Sequence, residues 1–287
     1  MYNKFLGSGA RMKNAIAFGT FDGIHIAHRE VLNLPKEYKK IAVTFEKPPK
    51  MFFSKNYELL MTFEERCNAL KTLGFEEIYA LDFETVRDIP LTEFLDFIYK
   101  KYNPNLISCG FDYRFGKGAK GDVSFLSKFC QEKGIELKVC EEMVFDSQTV
   151  SSTMIRGFLK EGEIAKANSL LLNPFSFTAK VIEGQRRGRT IGFPTINQEY
   201  PHELVKLKFG VYKTKVLFDG NEYEGITNIG IRPTFKSDYV ISETYIKNFS
   251  GDLYGKDVKI IPVIFLRDEV KFSSLEELKK QIEKDIT

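Results

Sequence analysis

The chain has 287 residues, of which 43% are hydrophobic and 28% are charged, and its formal net charge is +3. These proportions indicate a globular protein of one large or two ordinary domains, and the small net charge argues against a nucleic-acid or membrane partner. No apolar run approaches membrane-spanning length, and the four cysteines lack CxxC spacing, so we expect a cytoplasmic protein with reduced thiols and no zinc. The first eleven residues have no signal-peptide core and are excluded from the fold prediction.

The stretch AIAFGTFDGIHIAHREVL, residues 15–32, predicts a buried strand that turns through glycines into a helix. Such a turn leaves free backbone N–H groups at the helix start, which favours a bound phosphate. His25 and His28 are three residues apart there, so both can project from one side of the first helical turn. Spacing alone fits an ordinary helix start with solvated or packed histidines equally well, but the strand–glycine–helix context favours a nucleotide phosphate site.

Strands and helices then alternate up to residue 140. The order predicts a doubly wound parallel sheet, whose ligands bind at the carboxyl ends of the strands. Predicted strands cover 39–45, 76–83, 105–110 and 136–140, and predicted helices cover 62–73, 91–102 and 123–133.

A helical pattern over residues 151–172 opens with SSTMIR. Ser151, Ser152 and Thr153 are preferred N-cap residues, which by themselves indicate an ordinary capped helix with a surface arginine. Together with the free N–H groups of the helix start, these hydroxyls and Arg156 could also clamp a triphosphate.

From Phe175 onward the pattern changes to short strands separated by turns, which predicts a small antiparallel barrel or sandwich. A final helix over 274–285 has an apolar stripe that would dock on it. Predicted strands cover 175–184, 210–220, 222–230, 240–249 and 257–266.

The motif GQRRGRTIGFPTIN, residues 184–197, combines glycines and arginines in a way that suits phosphate binding. Thr195 and Asn197 offer hard oxygen ligands of the kind that Mg²⁺ prefers. Taken alone, the motif is more typical of a charged hairpin.

These motifs together resemble the bacterial bifunctional riboflavin kinase/FAD synthetase family. GTFDGIHIAH resembles the family's GxFDGxHxGH signature, SSTMIR its SSTxIR element, and the glycine-rich loop 110–121 its GxDFxFGxxxxG segment. GRTIGFPTIN resembles the GRxxGFPTxN signature of riboflavin kinases, and NIGIRPTF, ETYIKNFSGDLYG and FLRDEVKF match the family in order. The resemblance covers nearly the whole chain after the first dozen residues.

The resemblance implies an α/β plus β protein with two domains. Residues 12–173 would form a Rossmann-like, doubly wound nucleotidyltransferase domain, and residues 174–287 a small antiparallel β-barrel riboflavin kinase domain with a C-terminal helix. The implied enzyme phosphorylates riboflavin to FMN with ATP and adenylylates FMN to FAD, releasing pyrophosphate. Its expected partners are riboflavin, FMN, FAD and ATP or ADP, with Mg²⁺ as Mg-ATP, and the oligomeric state is left open.

The resemblance also implies the residues of the adenylyltransferase site. His25 and His28 would be catalytic, because they would stabilise charge on the α- and β-phosphates of ATP. The other expected nucleotide contacts are Gly19, Phe21, Asp22, Gly23, Asp112, Ser152, Thr153 and Arg156.

In the kinase domain, the resemblance makes Glu243 the catalytic base for the ribityl 5′-hydroxyl, with Thr195 and Asn197 as magnesium ligands. The expected ATP and phosphate contacts are Gly184, Arg187, Gly188, Arg189, Gly192, Pro194 and Thr195. The expected flavin contacts are Tyr212, Asn228, Arg232, Phe235, Arg267 and Phe272.

The chain departs from the family pattern at three positions. Ala27 replaces a glycine, Tyr113 replaces a phenylalanine, and Pro48 replaces the histidine of TFxPHP, whose hydrogen bonds a proline ring cannot make. Two alternatives therefore stay open: a riboflavin kinase with a degenerate adenylyltransferase module, and a non-catalytic flavin-binding regulator. The presence of Glu243 and of the predicted magnesium ligands Thr195 and Asn197 argues against the regulator, since a protein that only binds flavin needs neither a base nor a metal site.

Overall fold

The computed structural model describes residues 12–54, 56–184, 192–233, 238–270 and 272–286. These residues pack into two compact units. The first holds the described residues up to Phe21 together with Ala27–Ser54 and Phe63–Val144. The second holds Asp22–Ile26, residues 56–62 and the described residues from Phe145 onward. Two short segments of the N-terminal half therefore pack with the C-terminal half.

A five-stranded parallel sheet forms the centre of the first unit, and this confirms the predicted α/β class. Its strand order is β3-β2-β1-β4-β5, so the direction of winding reverses between β1 and β4, where doubly wound folds bind ligands. The strands are β1 (Lys13–Phe18), β2 (Tyr38–Phe45), β3 (Glu77–Leu81), β4 (Leu106–Gly110) and β5 (Glu136–Cys140).

Helices follow the strands of the sheet in the predicted alternation. Residues of α5 and α6 share a core with Ile16 and Phe18 of β1, and the alternate residues Ala15 and Ala17 are also buried, so both faces of the sheet are covered. The helices are α1 (Ile26–Leu32), α2 (Lys50–Phe53), α3 (Phe63–Thr72), α4 (Phe83–Val86), α5 (Leu91–Tyr102) and α6 (Val123–Lys133), with a 3₁₀ turn at Lys117–Ala119.

The predicted strand 76–83 is too long at its C-terminal end. The strand β3 ends at Leu81, because the Asp82 side chain accepts a hydrogen bond from the Glu84 N–H at 3.2 Å and starts the short helix α4.

The single helix predicted over 151–172 is wrong. After two-residue strands β6 (Val144–Phe145) and β7 (Gln148–Thr149), the chain forms two helices, α7 (Ser152–Glu161) and α8 (Ile164–Leu170). Gly162 ends α7 with a left-handed φ of 79°, and the next N–H, that of Glu163, bonds the Phe158 carbonyl at 2.8 Å. This glycine cap interrupts a pattern whose apolar periodicity continues through it.

The second unit contains a closed six-stranded antiparallel barrel with the order β10-β11-β12-β9-β8-β13, as the barrel prediction expects. A C-terminal helix, also predicted, packs against β11. The strand β9 is not among the predicted strands, because its glycine- and arginine-rich surroundings indicate a loop. The elements are β8 (Phe177–Ile182), β9 (Thr195–Glu199), β10 (Gly210–Phe218), β11 (Asn221–Pro233), β12 (Asp238–Ile246), β13 (Asp257–Arg267) and α9 (Leu275–Ile286).

The barrel interior carries a chain of hydroxyl groups. Thr214, Thr227 and Thr244 are at most 2% exposed, and their hydroxyls are joined in series by hydrogen bonds of 2.9 Å. Side chains alternate along a strand, so the neighbours Asn228 and Glu243 project to the outer face. Among the helices that the structure describes, none has the length and apolar character needed to cross a bilayer.

Candidate functional site

The turn after β1 has a strained backbone held by buried side chains. Phe21 and Ile24 adopt φ values of 55° and 41°, which non-glycine residues rarely do. Both side chains are at most 1% exposed, and the burial of these large apolar groups offsets the cost of the backbone conformation. The Phe21 ring also occupies the space beside Gly19, where an added Cβ would lie 2.6 Å from Phe21 Cε1.

Gly23 is required by the geometry of this turn. Its φ is 87°, and an added Cβ would lie 2.7 Å from Leu60 Cδ1. Any side chain at this position would therefore displace Leu60 as well as strain the backbone.

In the second unit, α7 brings the SSTMIR motif to Asp22. Ser151 caps the helix by accepting the Met154 N–H at 3.2 Å, and Ser152 Oγ donates to the Asp22 carbonyl at 2.9 Å. Arg156 Nη1 donates to Asp22 Oδ2 at 2.8 Å. The side chains of Arg156 and Asp22 are 11% and 2% exposed, so this ion pair is almost withdrawn from water. Both residues are predicted nucleotide contacts, but the sequence did not predict that they contact each other.

A third residue, Tyr57, completes this cluster and was not identified from the sequence. Arg156 Nη2 donates to the Tyr57 hydroxyl at 3.1 Å, and the guanidinium carbon lies 4.6 Å from the centre of the tyrosine ring. The hydroxyl in turn lies 3.4 Å from Asp22 Oδ2, to which it donates. Tyr57 lies in a loop outside every motif, so no local signal indicates its role.

The two histidines of the first motif have different surroundings. His25 is 5% exposed, and burial together with the charge of Arg156 lowers its pKa from 6.5 to about 4. It is therefore neutral at pH 7 and can donate a hydrogen bond to a phosphate without contributing charge. His28 lies in the first unit, where its ring meets the Phe21 ring edge-on at 5.4 Å. The remaining predicted contacts, Asp112 and Thr153, are exposed.

On the outer face of the barrel, three predicted residues form one row. Glu243 of β12 is in register with Asn197 of β9 on one side and with Asn228 of β11 on the other. Directly opposed residues of neighbouring strands project from the same face, so the three side chains lie side by side.

The two asparagines of this row each have a buried side-chain oxygen that accepts no hydrogen bond from the described residues, namely Asn197 Oδ1 and Asn228 Oδ1. Such acceptors cost free energy unless a cation, ligand or water satisfies them. Glycines make room for the row: an added Cβ at Gly184 would overlap the Asn197 amide, and one at Gly230 would overlap the Glu269 carboxylate. Glu269 Oε1 accepts a hydrogen bond from Asn228 Nδ2 at 3.1 Å and so orients that amide.

The residues around Asn197 fit a magnesium ion. Its buried Oδ1 and the exposed hydroxyl of Thr195 on the same strand are oxygen donors of the kind that Mg²⁺ prefers. The described residues contain no group of three or more His, Cys, Asp or Glu side chains arranged for a metal. This donor set suits Mg²⁺, which usually binds few protein oxygens and takes its other ligands from water and substrate phosphates.

Two of the predicted flavin contacts have clear structural partners. Arg267 Nη2 donates to Asp285 Oδ2 of α9 at 2.7 Å, and its guanidinium lies 5.8 Å from the Phe272 ring. Tyr212 is fully buried, and its hydroxyl donates to the Lys208 carbonyl. Contact of these residues with a flavin stays a prediction.

Other predicted contacts of the barrel are only partly described. Gly192 has a φ of 88°, and Pro194 and Thr195 are exposed beside the start of β9. Arg187, Gly188, Arg189, Phe235 and the side chain of Arg232 lie outside what the structure describes.

Known proteins match both parts of this architecture. A family model described as FAD synthetase matches residues 9–154, and one described as riboflavin kinase matches residues 171–287. The bifunctional riboflavin kinase/FMN adenylyltransferase of Listeria monocytogenes is 33% identical to this chain over 288 residues, covering 96% of this chain and 90% of the relative. That of Bacillus subtilis is 31% identical and covers 95% and 90%. The chain belongs to the bifunctional riboflavin kinase/FMN adenylyltransferase family.

A solved structure of high similarity is described as a macrolide-efflux protein from Streptococcus pneumoniae. Its TM-score is 0.88 at 28% sequence identity, and the match covers 97% of this chain and 94% of that one. Membership of the bifunctional family confirms the predicted fold class, the prediction of an enzyme of FAD biosynthesis, and riboflavin, FMN and ATP as its substrates.

Proposed function

We propose that this riboflavin kinase/FMN adenylyltransferase uses two separate sets of residues for its two reactions. Riboflavin phosphorylation takes place at the row Asn197–Glu243–Asn228 on the barrel, and FMN adenylylation at the cluster around Asp22 and Arg156. The observation that carries the proposal is the register of the row, which sets a carboxylate between two amides whose oxygens accept no hydrogen bond within the described part of the chain.

In the kinase reaction, Glu243 accepts the proton of the ribityl 5′-hydroxyl as that oxygen bonds to the γ-phosphorus of ATP. The bond between the γ-phosphorus and its bridging oxygen breaks, and ADP leaves with the electron pair. Asn228, oriented by Glu269, offers its amide oxygen, which no described residue bonds, to a hydroxyl of the flavin substrate. Thr195 and Asn197 hold Mg²⁺, which neutralises phosphate charge when it is bound.

In the adenylylation, an oxygen of the FMN phosphate bonds to the α-phosphorus of ATP, and the bond to the leaving pyrophosphate breaks. A protein base is not needed, because the FMN phosphate is already ionised near neutral pH. Neutral His25 donates a hydrogen bond to a phosphate oxygen, and His28 is assigned the same role from the motif. Thr153 and Arg156 bind the departing pyrophosphate together with the backbone N–H of Ser152 at the start of α7, and Arg156 carries the positive charge.

Product identity tests whether the chain carries out both reactions and separates this function from both alternatives. The purified chain is incubated with riboflavin, ATP and Mg²⁺, and the flavins are resolved by chromatography. FAD is the expected product. Accumulation of FMN without FAD would show that the adenylyltransferase module is degenerate, and unchanged riboflavin would show that the chain only binds flavin.

A further inference from the structure

We propose that residues 56–60, the Tyr57 segment, form a positioning element for adenylyl transfer, in which Tyr57 orients Arg156. This inference rests on the proposed function of Arg156 at the phosphates of ATP. The segment lies far from the phosphate-binding motifs in the sequence, and its position in the second unit puts it against α7 and Asp22.

Tyr57 and Asp22 together fix the plane of the Arg156 guanidinium. One terminal nitrogen donates to Asp22 at 2.8 Å and the other to the Tyr57 hydroxyl at 3.1 Å, while the tyrosine ring lies 4.6 Å from the guanidinium carbon. Two hydrogen bonds use two of the five N–H donors of an arginine, which leaves donors for phosphate oxygens.

The Tyr57 hydroxyl bridges the charges of the ion pair. It accepts from Arg156 and donates to Asp22, an arrangement that requires the protonated phenol. Burial, followed by the charge of Asp22, raises the pKa of Tyr57 above 10.0, so the phenol keeps its proton over the working range of pH. Asp22 Oδ2 thereby accepts from both the Tyr57 hydroxyl and Arg156, and the second contact, from Arg156 to the hydroxyl, keeps the guanidinium from rotating about its bond to Asp22.

Further contacts attach the Tyr57 segment to the same helix and the same carboxylate. Glu58 Oε2 lies 2.6 Å from Nζ of Lys160, which is one turn beyond Arg156 on α7. The Leu60 N–H donates to Asp22 Oδ1 at 2.9 Å. Tyr57 is therefore held at a fixed distance from Arg156 by neighbours on its C-terminal side.

Backbone pairing at Leu59 also holds the segment in place. The Leu59 N–H donates to the Glu203 carbonyl at 2.8 Å, and the Val205 N–H donates to the Leu59 carbonyl at 2.8 Å. Leu59 and Leu60 are 7% and 3% exposed, so the C-terminal end of the segment is buried as well as hydrogen-bonded. A residue held in this way presents its hydroxyl with little freedom to move, which is what a supporting contact of a reactive group requires.

Orientation of Arg156 before the reaction matters most as charge develops on the leaving pyrophosphate. When the bond to the α-phosphorus breaks, negative charge grows on the bridging oxygen, and a fixed guanidinium stabilises it without reorganising. Loss of orientation should therefore lower kcat for adenylylation more than it raises KM for ATP.

The test replaces Tyr57 by phenylalanine in the full chain, which keeps the ring and removes the hydroxyl. With FMN, ATP and Mg²⁺ supplied, Tyr57→Phe should lower kcat for FAD formation about tenfold, because the hydroxyl's hydrogen bonds to Arg156 and Asp22 are both lost. KM for ATP should stay within about twofold, and riboflavin phosphorylation should be unchanged, which also shows that the variant is folded. The exposed Tyr254 supplies the matched control, and Tyr254→Phe should change neither activity.

A double-mutant cycle with Arg156→Gln distinguishes failure of this inference from failure of the proposed function. If Tyr57 acts through Arg156, Tyr57→Phe should cause no further loss in the Arg156→Gln background. An Arg156→Gln variant with full adenylylation activity would overturn the proposed role of Arg156 itself. The positioning role would be overturned if Arg156→Gln lowered kcat but Tyr57→Phe alone did not. It would also be overturned if the double variant lost as much as the product of the two single losses. Glu58→Gln, which removes the charge facing Lys160, should give a smaller loss of the same kind, and an unchanged kcat in both segment variants would contradict the inference.

Discussion

The two proposed sites differ in whether the polar atoms of their residues have hydrogen-bond partners. Asn197 and Asn228 flank Glu243 with amide oxygens that the described residues leave unbonded, so this row offers acceptors to a substrate or cation. Asp22 and Arg156 instead bond each other. The proposed function assigns the first arrangement to recognition of hydroxyls and a metal, and the second, an ion pair that fixes the guanidinium, to phosphate binding.

Replacing Glu243 by glutamine should separate the two reactions. The amide keeps the shape of the side chain but cannot accept the proton, so riboflavin phosphorylation should fall by about 10²-fold or more. Adenylylation of supplied FMN should continue, and both rates can be followed by flavin chromatography. Glu222→Gln is the matched control, because Glu222 lies exposed at the β10–β11 hairpin. An equal loss of both activities in Glu243→Gln would refute separate sites.

His25 should make the folded state sensitive to acid. Its pKa is about 4 in the folded protein and 6.5 when unperturbed, so the unfolded chain takes up the proton first. The stability that depends on neutral His25 is complete above pH 6.5 and is lost as the pH falls from 6.5 towards 4. Between pH 7.5 and 5 this amounts to about 2 kcal/mol, measurable by urea unfolding.

The His25→Gln variant isolates that contribution, because glutamine does not titrate. Its free energy of unfolding should change less between pH 7.5 and 5 than that of the parent chain. His202 is exposed and provides a control, so His202→Gln should keep the parental pH dependence. A parental pH dependence in His25→Gln would contradict the assignment.

At the scale of elements, helices and strands with a complete local signal could be predicted from the sequence. The bounds of α5, α6 and β5 agree with the prediction, and α6 shows why: Asp122 accepts the Phe125 N–H at its start, and Gly134 is left-handed at its end. The strand β9 lacks such a signal, since it becomes a strand by pairing with β8 and β12. The residues of β9 alone therefore do not predict that it pairs with β8 and β12.

Any side chain at Gly162, the glycine that separates α7 from α8, should destabilise the folded protein. Gly162 has a φ of 79°, and an added Cβ would lie 3.2 Å from both Lys208 Cδ and Phe265 Cγ. Gly162→Ala should therefore lower the free energy of unfolding by about 1–2 kcal/mol. Gly157, in the exposed middle of α7, has no atom within 4 Å of an added Cβ, so Gly157→Ala should raise it by about 0.5–1 kcal/mol. Thermal unfolding measures both, and equal effects of the two substitutions would contradict this account.

At the scale of the whole molecule, the compact units do not follow the order of the chain. The predicted boundary at 173/174 rests on a change in strand and helix pattern and stays a prediction. Packing instead places Asp22–Ile26 and residues 56–62 with the barrel. Motifs predict the residues of each proposed site, but Asp22 and Arg156 are 134 residues apart, and their contact depends on tertiary packing that no contiguous pattern encodes.

We predict that removal of Mg²⁺ stops both reactions, because the proposed function has each use ATP as its magnesium complex. The proposed function places Asn197 only in the kinase site, so Asn197→Ala should raise the Mg²⁺ concentration needed for half-maximal FMN formation several-fold, as loss of one metal ligand or its support does. The Mg²⁺ requirement of adenylylation should stay as in the parent. Titration of Mg²⁺ after chelation with EDTA measures both, and a parallel shift in the two requirements would contradict the assignment of Asn197.

The backbone pairing of Leu59 with Glu203 and Val205 has a consequence for recombination between relatives. In a chimera that joins the N-terminal part of one homologue to the C-terminal part of another at residue 173, Leu59 would come from one parent and residues 203 and 205 from the other. A chimera should fold when residues 22–26 and 56–60 come from the same homologue as the residues after 173. Crossover points in this family are thus better chosen from the hydrogen-bond pattern than from the linear order of the two modules.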